Sequence, residues 1–345
     1  MQEHNYLFEG DFELESGYVY PELNLGYHTI GTLNEQKNNV VWICHAFSAN
    51  SNVDDWWSGA LSNLKILNPL KQFIICVNIP GSCYGSTGPL SINPKTRNPY
   101  LHDFEYFSIR DVVKSFILLA DSLEIPTIHM LIGGSLGGQQ ALEWAIMQPD
   151  RIEKLVISAT NASHSAWGIA FNESQRMAIQ ADQTWLESQP KAGLEGMKVA
   201  RSIGLLSYRN YQTYVNSQTD PITETFPEIR KAAAYQQYQG HKLATRFNAF
   251  SYFALTQTMD SHHVGRGRGG EEAALQKIIA RTLVIGIKSD ILFPVEEQKF
   301  LAKNIPQASY YEIDSPFGHD GFLIEKDAIG ESMGAFFSID LFVNA

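Results

Sequence analysis

The run Gly133-Gly134-Ser135-Leu136-Gly137-Gly138 constrains this chain more than any other segment. It carries a G-x-S-x-G pattern, and its two flanks follow different structural periods. Residues 128–132 (IHMLI) form a short apolar run of strand length, and residues 139–147 (QQALEWAIM) are rich in helix formers. A serine between a buried strand and a helix sits on a turn too tight for bulky neighbours, so the flanking glycines have a mechanical reason. Ser135 is therefore a candidate nucleophile. The strand-turn-helix context carries the argument, because the bare pattern often arises by chance.

The same alternation recurs along the chain. VVWIC (40–44), FIICVNI (73–79), KLVIS (154–158) and TLVIGI (282–287) are continuously apolar, as expected of strands buried on both faces. Helical patterns such as SIRDVVKSFILLADSL (108–123) lie between them. Strand and helix in turn imply an α/β fold, a mostly parallel sheet flanked by helices with right-handed crossovers. The earlier segments FELESGYVY and LGYHTIGTL alternate only partly and read as antiparallel strands. The rhythm stops after Ser158 and resumes near Thr282. Residues 160–280 have a helical composition dense in tyrosine and phenylalanine. The expected plan is one core domain from 1–159 and 281–345, with 160–280 inserted as a helical lid that packs on the sheet domain, another subunit or both.

Composition limits the function classes. Over 345 residues, 44% are hydrophobic and 18% charged, which suits a soluble globular enzyme. A net charge of -11 disfavours nucleic-acid binding, so any anionic cosubstrate must be held by a few placed cations or helix N-termini. The acidic start has no apolar h-region and no apolar stretch is long enough to span a bilayer, so neither export nor membrane insertion is expected. Cys44, Cys76 and Cys83 lack C-x-x-C spacing, which points to a reducing, cytoplasmic compartment without a disulfide framework. His262-His263 has ligand residue types but no third cluster, so no metal is expected.

A serine hydroxyl needs a general base and a group to orient that base. Asp290 follows the buried strand TLVIGIKS, and His319 lies in FGHDGF after the strand-like SYYEID. The order Ser135, Asp290, His319 puts acid and base on loops at the carboxyl ends of successive strands, where all three can converge. Asp314 and Asp320 are poorer candidates for the acid, the first on a strand and too close to His319, the second adjacent to it. An oxyanion needs two backbone N–H donors. Leu136 supplies one, and Phe47, in the His45-Ala46-Phe47-Ser48-Ala49 loop after VVWIC, is assigned the other.

Over nearly its whole length the chain resembles the homoserine O-acetyltransferases, MetX-type acyltransferases of the α/β-hydrolase fold. The resemblance rests on CHAFSANSNVDDWW (44–57), NIPGSCYGSTGPLSINPKT (78–96), GGSLGGQQALEWA (133–145), AFNESQRMAI (170–179), RFNAFSYFALTQTMD (246–260), SDILFP (289–294) and GHDGFL (318–323). It implies ping-pong transfer from acetyl-CoA, through acyl-Ser135, to the hydroxyl of L-homoserine. It further implies no permanently bound cofactor and a homodimer formed through lid helices. By the same resemblance Arg209, in LSYRN, matches the carboxylate-binding arginine. Asp320 matches an acidic residue that either holds the ammonium group or fixes the loop. The arginines of RGRGG (266–270) either meet CoA phosphates or lie in a solvated loop. Other readings within reach are a succinyl-CoA or serine-using relative, a serine hydrolase with water as acceptor, and a non-catalytic binding module.

Overall fold

Strands apolar on both faces demand a sheet covered on both sides, and the computed structural model, which describes residues 1–57, 67–222 and 228–343, has that architecture. Its strands are β1 (Gln2–Phe8), β2 (Phe12–Glu13), β3 (Val19–Tyr20), β4 (Leu23–Ile30), β5 (Val40–Cys44), β6 (Phe73–Val77), β7 (Met130–Gly134), β8 (Lys154–Ser158), β9 (Arg281–Ile287) and β10 (Ala308–Ile313). Eight make one sheet in the order β1-β4-β6-β5-β7-β8-β9-β10, while β2 and β3 pair separately. From β6 to β10 all pairings are parallel, and β1 and β4 join antiparallel. FELESGYVY thus yields only the short β2–β3 hairpin. The longer β1 comes from polar QEHNYLF, an edge strand whose side chains are mostly exposed or half-buried and which carries no apolar run to announce it.

Period-2 alternation divides the core between the two faces. Trp42 and Cys44 of β5 face one side with Leu131 and Trp144, while Val41 and Ile43 face the other with Ile132, Ile285 and Phe336. The Trp42 and Trp144 rings meet edge-on at 4.8 Å. Helix Leu136–Met147, which carries Trp144, is buried on nearly every side, which explains why its sequence lacks a polar stripe. Helix Ile109–Ser122 starts from a capping box in which the Ser108 hydroxyl and the Asp111 carboxylate satisfy each other's backbone N–H groups.

Between β8 and β9 the described residues form helices and no named strand: Ala166–Gln180, Leu194–Tyr208, Tyr211–Gln218, Lys231–Ala244, Ala249–Asp260 and Glu271–Leu275. Ser165, Asn210 and Asn248 cap three of them through their side chains. Helix Ala249–Asp260 buries nine residues, among them Phe250, Tyr252 and Leu255, and joins the same core as the sheet.

The chain reverses direction across the sheet at β5, which pairs with β6 on one side and β7 on the other. Loops leaving the carboxyl ends of β5 and β7 diverge there and open a crevice, the usual place for a ligand in a parallel sheet. Cys44 pairs with Gly133, so both strands end level and the His45–Ala49 loop lies beside Ser135.

Candidate active site

Ser135 links β7 to helix Leu136–Met147 with φ 56° and ψ -127°, a conformation that costs a non-glycine residue about 1–3 kcal/mol. The surroundings hold it there. Its N–H donates to the Ser158 carbonyl (3.0 Å), and its carbonyl accepts from Thr160 Oγ1 (2.9 Å). A Cβ on Gly137 would lie 2.1 Å from the Cys44 carbonyl oxygen, and one on Gly133 would lie 2.2 Å from that of Gly137. Only glycine at these two points lets the helix approach the sheet closely enough to project the serine.

Asp290 and His319 come to Ser135 from the loops after β9 and β10. His319 Nδ1 lies 2.6 Å from Asp290 Oδ2, and its Nε2 lies 2.8 Å from Ser135 Oγ. A carboxylate only accepts, so Nδ1 carries the proton and Nε2 is left to accept from the serine hydroxyl. The other carboxylate oxygen of Asp290 accepts from the N–H groups of Leu292 (2.8 Å) and Phe293 (2.9 Å), which fixes its orientation. Phe293 stacks on the imidazole at 5.1 Å, with Phe322 tilted against it at 5.2 Å. Ser135, Asp290 and His319 are 4%, 5% and 4% exposed, so water has little access. Gly318, with φ 63°, presses against the Tyr208–Asn210 backbone and so seats the histidine loop on the end of helix Leu194–Tyr208.

The loop carrying Phe47 is braced from inside. His45 is buried, and burial pushes its imidazole down to about 4, so it is neutral. Its Nε2 accepts from the Ile79 N–H (3.1 Å), so Nδ1 is the donor to the Ala46 carbonyl (2.9 Å). The Ala49 N–H donates to the same carbonyl (3.0 Å). That carbonyl and the Phe47 N–H belong to one planar peptide unit, so clamping the first orients the second. Phe47 also meets Tyr252 edge-on at 4.9 Å, and Leu136 begins the helix directly after the serine.

A cavity of about 200 Å³ opens onto these groups. Ser135, His319 and the Ala46–Ala49 loop form one wall, and Trp56, Met259, Leu292, Phe322 and Leu323 supply apolar surface. Its charged groups are Arg201, Arg246 and Asp320, and Tyr208 completes the lining. The Arg201 guanidinium lies over the Tyr208 ring at 5.3 Å, and among the described residues it has no carboxylate partner. Asp320 is paired with Arg209 at 3.0 Å. Burial raises the Asp320 carboxyl above its ordinary range, against the opposing pull of Arg209.

Arg209 stands behind this wall, bonded to Asp320 and to the Tyr235 hydroxyl (3.4 Å), and is not among the lining residues. Arg201, to which the sequence reading gives no role, is the arginine of this helix that lines the cavity. Arg201 and Tyr208 are seven residues apart on one helix, hence on one face. Arg246, in RFNAFSYF, is another lining cation.

The remaining motifs point away from the cavity. Arg266 pairs with Glu15 at 2.7 Å, and Arg268 pairs with buried Glu143. The RGRGG loop is thus tied to the protein by its own arginines. His262 is buried, its Nε2 bonded to the Asn161 carbonyl (2.9 Å), and burial pushes it down to about 3. Among the described residues no group of three acidic, histidine or cysteine side chains is placed to hold a metal. Cys44 and Cys76 are buried and Cys83 half-buried, all as free thiols.

A family model described as the alpha/beta hydrolase fold matches residues 39–326. The homoserine O-acetyltransferase of Cyclobacterium marinum is 46% identical over 324 residues, covering 94% of this chain and 92% of that protein. That of Chlorobaculum parvum is 43% identical, covering 92% of this chain and 90% of its own length. The crystal structure of homoserine O-acetyltransferase from Bacillus anthracis superposes with a TM-score of 0.89 at 24% identity, covering 97% of both chains, and shows the shared fold. With relatives this similar along almost its entire length, the chain belongs to the homoserine O-acetyltransferase family of the α/β-hydrolase fold.

Proposed function

We propose that the protein transfers an acetyl group from acetyl-CoA to the side-chain hydroxyl of L-homoserine through an acetylated Ser135. The observation that carries the reading is the hydrogen-bonded chain Ser135–His319–Asp290 opening into a cavity that also contains the guanidinium of Arg201, without a carboxylate partner among the described residues, and a carboxylate, Asp320. In the first half-reaction Ser135 Oγ attacks the thioester carbonyl while His319 Nε2 takes its proton. The oxyanion is received by the N–H groups of Phe47 and Leu136. The carbon–sulfur bond breaks, and His319 returns its proton to the departing CoA thiolate. In the second half His319 removes the proton of the homoserine hydroxyl, whose oxygen attacks the acetyl-serine carbonyl. Ser135 leaves and is reprotonated, which restores the enzyme.

Acceptor selection follows from charge. Arg201 takes the amino acid's carboxylate and Asp320 its ammonium, with Arg209 holding Asp320 in place. Residues 160–280 act as a lid that keeps water from the acetyl-serine, which would otherwise hydrolyse. Exposed apolar side chains on its helices, Trp167 at 53%, Met177 at 61% and Leu206 at 53%, support pairing of two lids in a homodimer. The sparse, unpaired cysteines support a cytoplasmic setting, and no permanently bound cofactor is required by these steps.

Intact-protein mass spectrometry tests the reading: acetyl-CoA should leave an acetyl group on Ser135, and L-homoserine should clear it as O-acetylhomoserine. Succinyl-CoA and L-serine run in parallel should be poorer. Clearance by water at the same rate would make the protein a hydrolase, and no adduct from either thioester would overturn the acyltransferase reading.

A further inference from the structure

Arg246 lines the catalytic cavity although it comes from the turn preceding helix Ala249–Asp260 and is hydrogen-bonded to none of the three triad residues. It is exposed, yet its side chain is not idle. Its Nη1 donates to the Ser48 carbonyl at 2.7 Å and also bonds the Tyr84 hydroxyl, while its own carbonyl accepts from the Cys83 thiol at 3.4 Å. One residue therefore joins the loop after β5, the loop after β6 and the segment leading into helix Ala249–Asp260.

We propose that Arg246 is a positioning residue for the oxyanion site, bracing the Ala46–Ala49 turn from its outer side so that the Phe47 N–H stays aimed at the reacting carbonyl. Two supports hold this turn from opposite directions. From within, His45 and the Ala49 N–H hold the Ala46 carbonyl. From without, Arg246 holds Ser48, the residue after Phe47, through a charge-assisted hydrogen bond of the stronger kind. Removing the outer support leaves the Phe47 peptide unit free to tilt, and a backbone donor off its line loses transition-state stabilisation while substrate binding is little changed.

This inference rests on Ser135 being acylated but not on which thioester or amino acid the protein uses, so it is read with two donors: acetyl-CoA, and p-nitrophenyl acetate, which is small and uncharged. Arg246→Ala should slow Ser135 acylation by both donors to a similar degree, on the order of tenfold, a fraction of the 10²–10³ lost when an oxyanion donor is deleted outright. KM for acetyl-CoA should stay within about twofold, since the loss is in the transition state. Arg246→Lys, which keeps the charge on a shorter reach without the planar guanidinium, should fall between. Tyr84→Phe removes one anchor of the guanidinium and should show the same kcat-only pattern more weakly.

A rise in KM for acetyl-CoA alone, with ester acylation unchanged, would overturn the proposal and make Arg246 a contact for the anionic donor. Full activity with both donors in Arg246→Ala would also overturn it. Should that variant fail to fold by thermal unfolding, wild-type rates in a folded Arg246→Lys and Tyr84→Phe would do the same. Absence of homoserine acetylation in the wild type would sink the proposed function yet leave the ester comparison intact.

Discussion

Ser135, Asp290 and the Phe47 peptide hang from the ends of sheet strands, and each is held by backbone hydrogen bonds. Arg201 and Tyr208 reach the same cavity from helix Leu194–Tyr208, the guanidinium over the ring at 5.3 Å. The contrast separates two physical demands. Bond-making groups lose their effect when displaced by a fraction of an ångström, so they sit where the sheet over-determines their position. Groups that recognise charge on a ligand tolerate more movement, and long side chains on helices serve them. One consequence is that changes on the sheet loops should strike rate, and changes on the helices should strike binding.

The sharpest test of that division is Ser135→Ala, which should reduce O-acetylhomoserine formation by about 10⁴-fold or more while leaving thermal unfolding unchanged. Retention of a few per cent of the activity would remove the serine from its role. Asp290→Asn should cost about 10³–10⁴ in kcat in both half-reactions, because an amide at this position favours the wrong tautomer of His319. Rapid-mixing measurements of acetylation and of acetyl transfer would show whether both halves fall together.

On the helical side, Arg201→Ala should raise KM for L-homoserine about 10- to 100-fold, the worth of a charged hydrogen-bonded contact, and leave acetylation of Ser135 within about twofold. Arg209→Ala should do less, since it acts through Asp320. A larger effect at Arg209 than at Arg201 would reverse the assignment of the two arginines.

The smallest effect concerns Glu297, in the first turn of helix Val295–Asn304, whose carboxyl burial pushes up to about 7 from its ordinary 4.5. The folded protein then binds this proton more tightly than the unfolded chain, so the contribution to stability is full below about pH 4.5 and declines as pH rises toward 7. Because the group is partly solvated, the decline is on the order of 1 kcal/mol. Denaturant titrations at pH 5 and pH 8 should show it in the wild type, and Glu297→Gln should flatten it.

The same contrast explains what could be read from the amino-acid order. VVWIC, FIICV, KLVIS and TLVIGI are legible as inner strands because burial on both faces leaves no room for polar residues. The glycines around Ser135 are legible because a backbone contact of about van der Waals distance admits nothing larger. With strand ends located, the loop positions of Ser135, Asp290, His319 and Phe47 follow from topology. Arg201 was not legible in this way. Which of two arginines eight residues apart faces the cavity depends on how helix Leu194–Tyr208 rests on the histidine loop at Gly318, a packing angle that no local pattern encodes. The short β2 and β3 and the polar edge strand β1 were obscured for a related reason, since an exposed edge imposes little on composition.

The hydrogen bond between Ser135 and His319 closes a loop of 184 residues, and that separation has a consequence in time. Strand β5, the serine turn and its central helix can pair and pack through contacts made early along the chain. The base arrives only after β9 and β10 have added to the far side of the sheet, among the contacts of highest sequence separation and so among the slowest to form. A growing chain therefore carries its nucleophile long before it carries anything to activate it, and remains chemically inert until the last strand has docked.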